Sequence, residues 1–168
     1  MGEGARDDDR RHVTAAIVCE RMPVRGLFLV NAMTPLPGET AGDWWQNTDA
    51  TRARIAAAES AGYNAEFDLQ SYYLHDLPEA VLKEGPAHQR EEAVHRFHTI
   101  LQVSQLAPNT DTRHCFGKQS FFPLEFQRRL ARVRLKTDTR VVSGGHLVAL
   151  SNPDGLVEQF LGFERECV

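Results

Sequence analysis

The stretch VVSGGHLVAL, residues Val141–Leu150, decides how the fold is interpreted. A short β-branched run ends at two glycines, and a histidine then precedes an apolar segment of helical character. This order predicts a strand that leads into a loop bearing His146. In open α/β sheets, ligands bind beyond the carboxyl ends of the strands. We therefore interpret His146 as a side chain presented at the carboxyl edge of a parallel sheet.

The composition is that of an ordinary globular domain. The chain has 168 residues, of which 42% are hydrophobic and 25% charged, and a domain of this length buries roughly 70% of its unfolded surface. The net charge of -4 gives no basic footprint for nucleic acid. No apolar run approaches the roughly 18 residues of a membrane span. Three widely spaced cysteines without a Cys-x-x-Cys pair favour reduced thiols, so we expect a cytoplasmic protein with no nucleic-acid or membrane partner.

Two further segments are predicted to form one parallel sheet with the strand at residues 139–143. Residues 25–32 (RGLFLVNA) form a continuous apolar run, typical of a strand that is covered on both faces of a parallel sheet. Residues 111–117 (DTRHCFG) are a weaker candidate. The segments on either side of these strands have apolar residues at helical spacing. The predicted helices cover residues 12–22, 49–61 (with Gly62 as C-cap), 124–135 and 153–163. The prediction is an α/β fold with about three parallel strands in one domain, residues 12–168, after a polar, disordered tail at residues 1–11.

A long helical and loop segment, residues 43–105, separates the first two strands. Its position is that of a cap over the carboxyl edge of the sheet. Trp44, Trp45, Tyr72 and Tyr73 are candidates for the wall of an acyl-binding pocket, with packing in the core as the alternative. Residues 67–77 are expected to be irregular.

A helix is also predicted at residues 86–102, and its polar face carries His88, His95 and His98 together with Glu91 or Glu92. Two histidines and a carboxylate suit zinc or iron. A di-iron bundle needs a second Glu-x-x-His helix, which the sequence lacks. The favoured interpretation is a solvated helix face, so no metal and no cofactor are predicted.

Three ordered segments resemble small esterase-like and lactonase-like members of the α/β-hydrolase superfamily. They are VCERMPVRGLFLVNAMTPLPGETAGDWW, FPLEFQRRLARVRL and SGGHLVALSNPDGLVEQFL. Their order and spacing are similar to the helix after the nucleophile, the next strand with its Pro-Gly loop, the helix after the acid, and the histidine loop. The resemblance implies an ancestral activity on ester or lactone acyl bonds, with His146 at the general-base position.

The sequence departs from this family at the other two members of the catalytic triad. The family nucleophile occupies a G-x-S-x-G elbow just before the helix that begins here near His12. Residues 7–11 read DDDRR at that place, and no G-x-S-x-G occurs in the chain. The family acid lies in a turn resembling G-R-D-D-R-F-F-P, whereas residues 117–123 read GKQSFFP. Gln119 or Ser120 therefore occupies a degenerate acid position, with one residue deleted.

These departures weaken the expected chemistry. A serine hydroxyl attacks only after a histidine accepts its proton, and the acid fixes the tautomer of that histidine. Ser143 and Ser120 could replace the nucleophile, and Asp111 and Asp138 the acid, but turn serines and loop carboxylates are usually capping or solvated groups. We predict a partial α/β-hydrolase domain that is inactive as this chain, and leave open whether it acts as an enzyme.

The alternative is a non-catalytic remnant of the same fold that binds a small ester-like molecule or contacts another subunit. The strand at residues 25–32 would lack one neighbour in a three-stranded remnant. An apolar strand at an open sheet edge invites pairing with another chain. Self-association through this edge is the expected consequence.

Overall fold

A computed structural model describes residues 14–62, 64–88, 101, 111–119 and 121–166. The strands are β1 (Gly26–Val30), β2 (Asp111–Gln119) and β3 (Thr139–Gly145). They form one parallel sheet in the order β1-β2-β3. The expectation of about three parallel strands is confirmed, and the structure gives their order.

The second and third strands extend further than the sequence predicts. Glycines at positions 117, 144 and 145 suggested strand ends, yet β2 continues to Gln119 and β3 to Gly145. The register between them shifts at Gly117 and Gln119, where Gln119 pairs with Gly145. A Cβ atom at Gly117 would overlap the main-chain oxygen of Gly145. Glycine is needed there because the two backbones approach closely.

Helix α1 (Thr14–Arg21) precedes β1, within the helix predicted at residues 12–22, and two helices follow β1 in the inserted segment. Helix α2 (Ala41–Thr48) begins with a capping box, in which Thr40 and Asp43 exchange hydrogen bonds between side chain and backbone. The sequence prediction missed this helix. Helix α3 (Ala50–Ala61) starts after Asp49, and Gly62 ends it at φ 77°, as expected for a left-handed C-cap.

The remaining helices differ from the sequence prediction in their bounds. Residues 67–77 are not wholly irregular, because a π-helix covers Gln70–Leu74. Helix α4 (Glu79–His88) begins seven residues before the helix predicted at residues 86–102 and runs through Pro86. Apart from Leu101, the rest of the predicted helix at residues 86–102, including His95 and His98, lies outside the described residues.

The carboxyl-terminal part of the chain supplies the other helices. The helix predicted at residues 124–135 divides into α5 (Leu124–Leu130) and a second π-helix (Ala131–Leu135). A short α6 (Val148–Ser151) follows the histidine loop, and α7 (Pro153–Glu166) extends three residues beyond the predicted end. None of the helices in the described ranges is long and apolar enough to cross a membrane.

Two groups of buried side chains place these elements. On one face of the sheet, Phe28 and Val30 of β1 pack with Val142 of β3 and with Val148 and Leu156 of α6 and α7. The second group joins Trp44 and Ala50 of the inserted helices to Phe126 and Leu130 of α5. Full burial of such side chains contributes about 1.5–3 kcal/mol each. The packing therefore fixes the inserted segment against the carboxyl-terminal half of the chain.

Candidate functional site

His146 lies where the sequence placed it. Strand β3 ends at Gly145 and α6 begins at Val148, so the histidine follows the carboxyl end of a parallel strand. Gly144 has a φ of 135°, which L side chains rarely adopt. A Cβ there would also lie 2.8 Å from Ser151 Oγ and 3.2 Å from Val148 Cγ2. The first glycine of the loop is therefore required by backbone conformation and by packing.

Asn31 ties the ends of the three strands together. It follows β1 with a φ of 47°, in the left-handed region that asparagine tolerates better than most residues. Its Nδ2 donates to the main-chain oxygen of His146 at 2.6 Å, and its Oδ1 accepts from the amide of Gly117 at 3.1 Å. The sequence prediction missed this role. The available signal was a polar residue placed directly after an apolar strand.

Asp76 reaches the same loop from the inserted segment. Its Oδ2 accepts a hydrogen bond from the amide of Gly145, the residue before His146. A Cβ at Gly145 would lie 2.6 Å from Asp76 Oδ1, so the carboxylate occupies the space that any other side chain would need. Asp76 was also missed, because 69 residues separate it from Gly145 and no motif links them.

The imidazole ring of His146 lies half-buried among aromatic side chains. Its centroid lies 4.5 Å from that of Tyr73 and 6.1 Å from that of Phe121. Burial lowers the pKa of His146 to about 4, because the charged form loses its hydration. The ring is therefore neutral at pH 7 and retains one nitrogen lone pair, which can accept a proton or a hydrogen bond.

Phe121 is the centre of an aromatic cluster that includes His146. Its ring lies within 5.2 to 6.1 Å of the rings of four other residues, which are Trp45, Phe67, Tyr72 and Tyr73. We call Phe121, these four residues and His146 the aromatic cluster.

A cation from helix α3 borders the aromatic cluster. The guanidinium of Arg54 lies 5.3 Å from the Tyr72 ring centroid and 5.7 Å from that of Phe121. Arg54 Nη1 donates to Tyr72 Oη at 2.9 Å and to the main-chain oxygen of Ala65 at 2.6 Å. A cation over aromatic faces is attracted by their quadrupoles. The cluster can therefore offer both apolar and charged contacts.

Solved structures of one enzyme resemble this arrangement of strands and helices. The crystal structure of polyneuridine aldehyde esterase matches with a TM-score of 0.69 and 13% sequence identity, over 91% of this chain and 68% of that chain. A variant of the same esterase with one histidine replaced by alanine gives a TM-score of 0.67 and 12% identity, over 90% and 68%. The chain has the α/β-hydrolase fold. No family model and no curated protein matches the sequence.

Within this α/β-hydrolase fold, the four predicted pocket residues lie in two adjoining groups, which meet where the ring centroids of Trp44 and Trp45 are 6.0 Å apart. Tyr72, Tyr73 and Trp45 belong to the aromatic cluster. Trp44 is only 2% exposed and packs with Phe126 in the second group of buried side chains. The structure thus places Trp44 in the core and Tyr73 against His146.

The degenerate acid position lies beside the histidine loop of the hydrolase fold. Gln119 ends β2 and is the register partner of Gly145, although its side chain is not among those described. Ser120 lies outside the described residues. Ser143 and Asp138 are both exposed, and Asp138 pairs at 3.3 Å with an exposed Arg132. Asp111 is the first residue of β2 and lies at the amino end of the strands, whereas His146 follows their carboxyl end.

Metal ligation has no support in the part of the chain that is described. Among those residues, no group of three or more His, Cys, Asp or Glu side chains could hold a metal ion.

Proposed function

We propose that this chain is an α/β-hydrolase-fold protein of the ester- and lactone-cleaving type that does not complete the acyl-transfer reaction as it stands. The observation that carries the proposal is His146, a neutral, buried base at the carboxyl edge of the sheet. The resemblance assigns it to the general-base position, while its two triad partners are replaced in the sequence. A cytoplasmic location is part of this proposal, because the spacing of the cysteines favours a reducing compartment.

The chemistry of the replaced positions explains the expected inactivity. An imidazolium that forms during acyl transfer is stabilised by a carboxylate, which also orients the ring. The carboxamide of Gln119 carries no charge and cannot give that electrostatic stabilisation. A histidine alone leaves a serine-type reaction without its nucleophile, and removal of the nucleophile loses most of the roughly million-fold effect of such a triad.

A serine-reactive fluorophosphonate tests this proposal directly. We expect no stoichiometric labelling of the purified chain, and equal rates of p-nitrophenyl acetate hydrolysis by the wild type and His146→Asn. Stoichiometric labelling of one serine, abolished by its replacement with alanine and reduced in His146→Asn, would show that a nucleophile remains and would overturn the proposal.

The aromatic cluster favours a second candidate function, the binding of a small ester-like molecule without turnover. Aromatic walls with a few polar groups are typical of small-molecule sites, and Arg54 and His146 supply such groups here. Methyl benzoate should shift the NMR signals of Tyr73, Phe121 and His146 in the wild type, and Tyr73→Ala should weaken the effect. Phe160→Ala is the matched control, because it removes a partly exposed ring of α7 that packs on Phe28 of β1. If methyl benzoate shifts the signals equally in Tyr73→Ala and Phe160→Ala, it does not bind at the aromatic cluster.

Self-association through β1 is a further part of the proposal. Among the described strands, β1 pairs on one side only, with β2, and all five of its residues are half-buried. An unpaired edge presents free amides and carbonyls to another chain. Sedimentation velocity over a concentration series should show reversible dimers. A monomer at every concentration would count against this association.

A further inference from the structure

We propose that Asp76 is the positioning residue of the histidine loop, and that through it the segment inserted between β1 and β2 sets the place of His146. The proposal rests on the proposed function only in taking His146 as the functional side chain. Its tests use neither turnover nor a ligand.

Two contacts from one stretch of the inserted segment converge on the loop. Asp76 Oδ2 accepts from the amide of Gly145, which fixes the backbone immediately before His146. Three residues earlier, Tyr73 packs its ring against the imidazole at 4.5 Å. The same stretch therefore contacts both the backbone that carries the histidine and the ring itself.

The loop is shaped to admit this carboxylate. A Cβ at Gly145 would lie 2.6 Å from Oδ1, 2.9 Å from Cγ and 3.0 Å from Oδ2 of Asp76, and these are its three nearest atoms. Gly145 is not among the residues with positive φ, so its backbone conformation would accept an L side chain. The need for glycine at position 145 comes from Asp76. At Gly144, by contrast, a φ of 135° imposes glycine whatever lies nearby.

The second oxygen of the Asp76 carboxylate, Oδ1, differs from Oδ2 in its hydrogen bonding. Asp76 Oδ1 is buried and has no hydrogen-bond partner among the described residues. A buried acceptor left without a donor is destabilising, and such groups in native proteins call for a functional or structural reason. Holding Gly145 supplies that reason, because the Oδ2 bond can form only if the whole carboxylate enters the loop.

A double-mutant cycle between Asp76 and Gly145 tests the steric part. We expect Gly145→Ala to raise the unfolding equilibrium constant by about tenfold or more in the wild type, and much less in the Asp76→Ala background, because the collision is then removed. Gly62→Ala is the control, because position 62 has a positive φ of 77° and a Cβ there would meet nothing within 4 Å, so its effect should be the same in both backgrounds. Additive effects of Asp76→Ala and Gly145→Ala would overturn the proposal.

The pKa of the His146 ring, measured by NMR, tests whether Asp76 positions the histidine. Among the described residues, the groups near it include the rings of Tyr73 and Phe121, with Asn31 on its carbonyl, Asp76 on the preceding amide and Arg54 beyond Phe121. In NMR titrations of the folded proteins, Asp76→Asn keeps an acceptor of the same size and should keep the low histidine pKa. Asp76→Ala should free the loop, hydrate the ring and move its pKa toward 6.5.

Loss of global stability alone would not change the pKa of a ring that stays packed in the folded state. Asp138→Ala, which removes an exposed carboxylate, is the control and should leave the titration unchanged. A wild-type titration in Asp76→Ala would show that the loop holds His146 without this residue and would overturn the proposal. Fluorophosphonate labelling can fail or succeed without altering either readout, so the two proposals are tested separately.

Discussion

Asn31 donates from Nδ2 to the main-chain oxygen of His146 at 2.6 Å, while its Oδ1 accepts from Gly117 at 3.1 Å. One side chain thus joins the carboxyl ends of β1, β2 and β3. Asn31→Gly should destabilise the fold by about 1–3 kcal/mol through the two lost hydrogen bonds. Asn31→Ala should add about 1–2 kcal/mol, because its φ of 47° is unfavourable for alanine. Urea unfolding measures both, and a wild-type midpoint for Asn31→Gly would contradict the bridging role.

The buried histidine makes stability depend on pH. The pKa of His146 is lowered by burial from 6.5 to about 4, so between these values the unfolded chain binds a proton that the folded chain excludes. Stability is unaffected by His146 above pH 6.5 and falls as the pH decreases toward 4, by up to about 3 kcal/mol. Urea midpoints at several pH values should show this slope, and His146→Asn should reduce it. An unchanged slope in that variant would assign it to other groups.

The ion pair of Arg134 with Glu39 fixes the loop after β1 to the second π-helix. Arg134 Nη1 lies 2.5 Å from Glu39 Oε2, and the two side chains are 6% and 13% exposed. Burial raises the pKa of Glu39, but hydrogen bonds from Arg134, the Leu36 amide and Asn47 outweigh it, so the pKa is lowered. Arg134→Met should destabilise the fold by about 3–5 kcal/mol, because it leaves a charge buried without its partner.

Arg132→Met is the matched control for Arg134→Met. Arg132 lies in the same π-helix as Arg134 and pairs with Asp138, but the side chains of Arg132 and Asp138 are 68% and 89% exposed. Exposed pairs contribute about 0–1 kcal/mol, so this variant should unfold close to the wild type. Thermal or urea unfolding compares the two, and equal losses would show that burial does not distinguish these pairs.

Trp44 acts as a core residue, so its replacement should change stability and leave the histidine loop unchanged. Trp44→Ala should destabilise the fold by about 3–5 kcal/mol. Trp44→Phe should be milder, because it keeps aromatic packing and removes an indole Nε1 that is buried without a hydrogen-bond partner among the described residues. Urea unfolding gives the ranking, and the NMR signals of His146 serve as the control. A shift of those signals in Trp44→Phe would place Trp44 near the site.

Local sequence was sufficient for the strands and for the place of His146. The apolar run before Asn31, and the β-branched pair before Gly144 and Gly145, follow from propensity and periodicity, which act over a few residues. The same local rules predicted Gly62 as a helix C-cap. They missed α2, because its capping box follows a loop rich in proline and glycine, and the two tryptophans gave no helical period.

Only the tertiary structure decided which residues surround the histidine. Asp76 and Asn31 contact the loop although 69 and 115 residues separate them from their partners in it. The ring of Phe121 contacts rings from three separate segments of the chain. No local pattern encodes such contacts, since they depend on how the inserted segment packs on the sheet. The sequence by itself determined that a histidine stands at the carboxyl edge of a parallel sheet. The packing of the inserted segment decided that it is buried, neutral and fixed by Asp76 and Asn31, because burial and long-range hydrogen bonds exist only after the chain has folded.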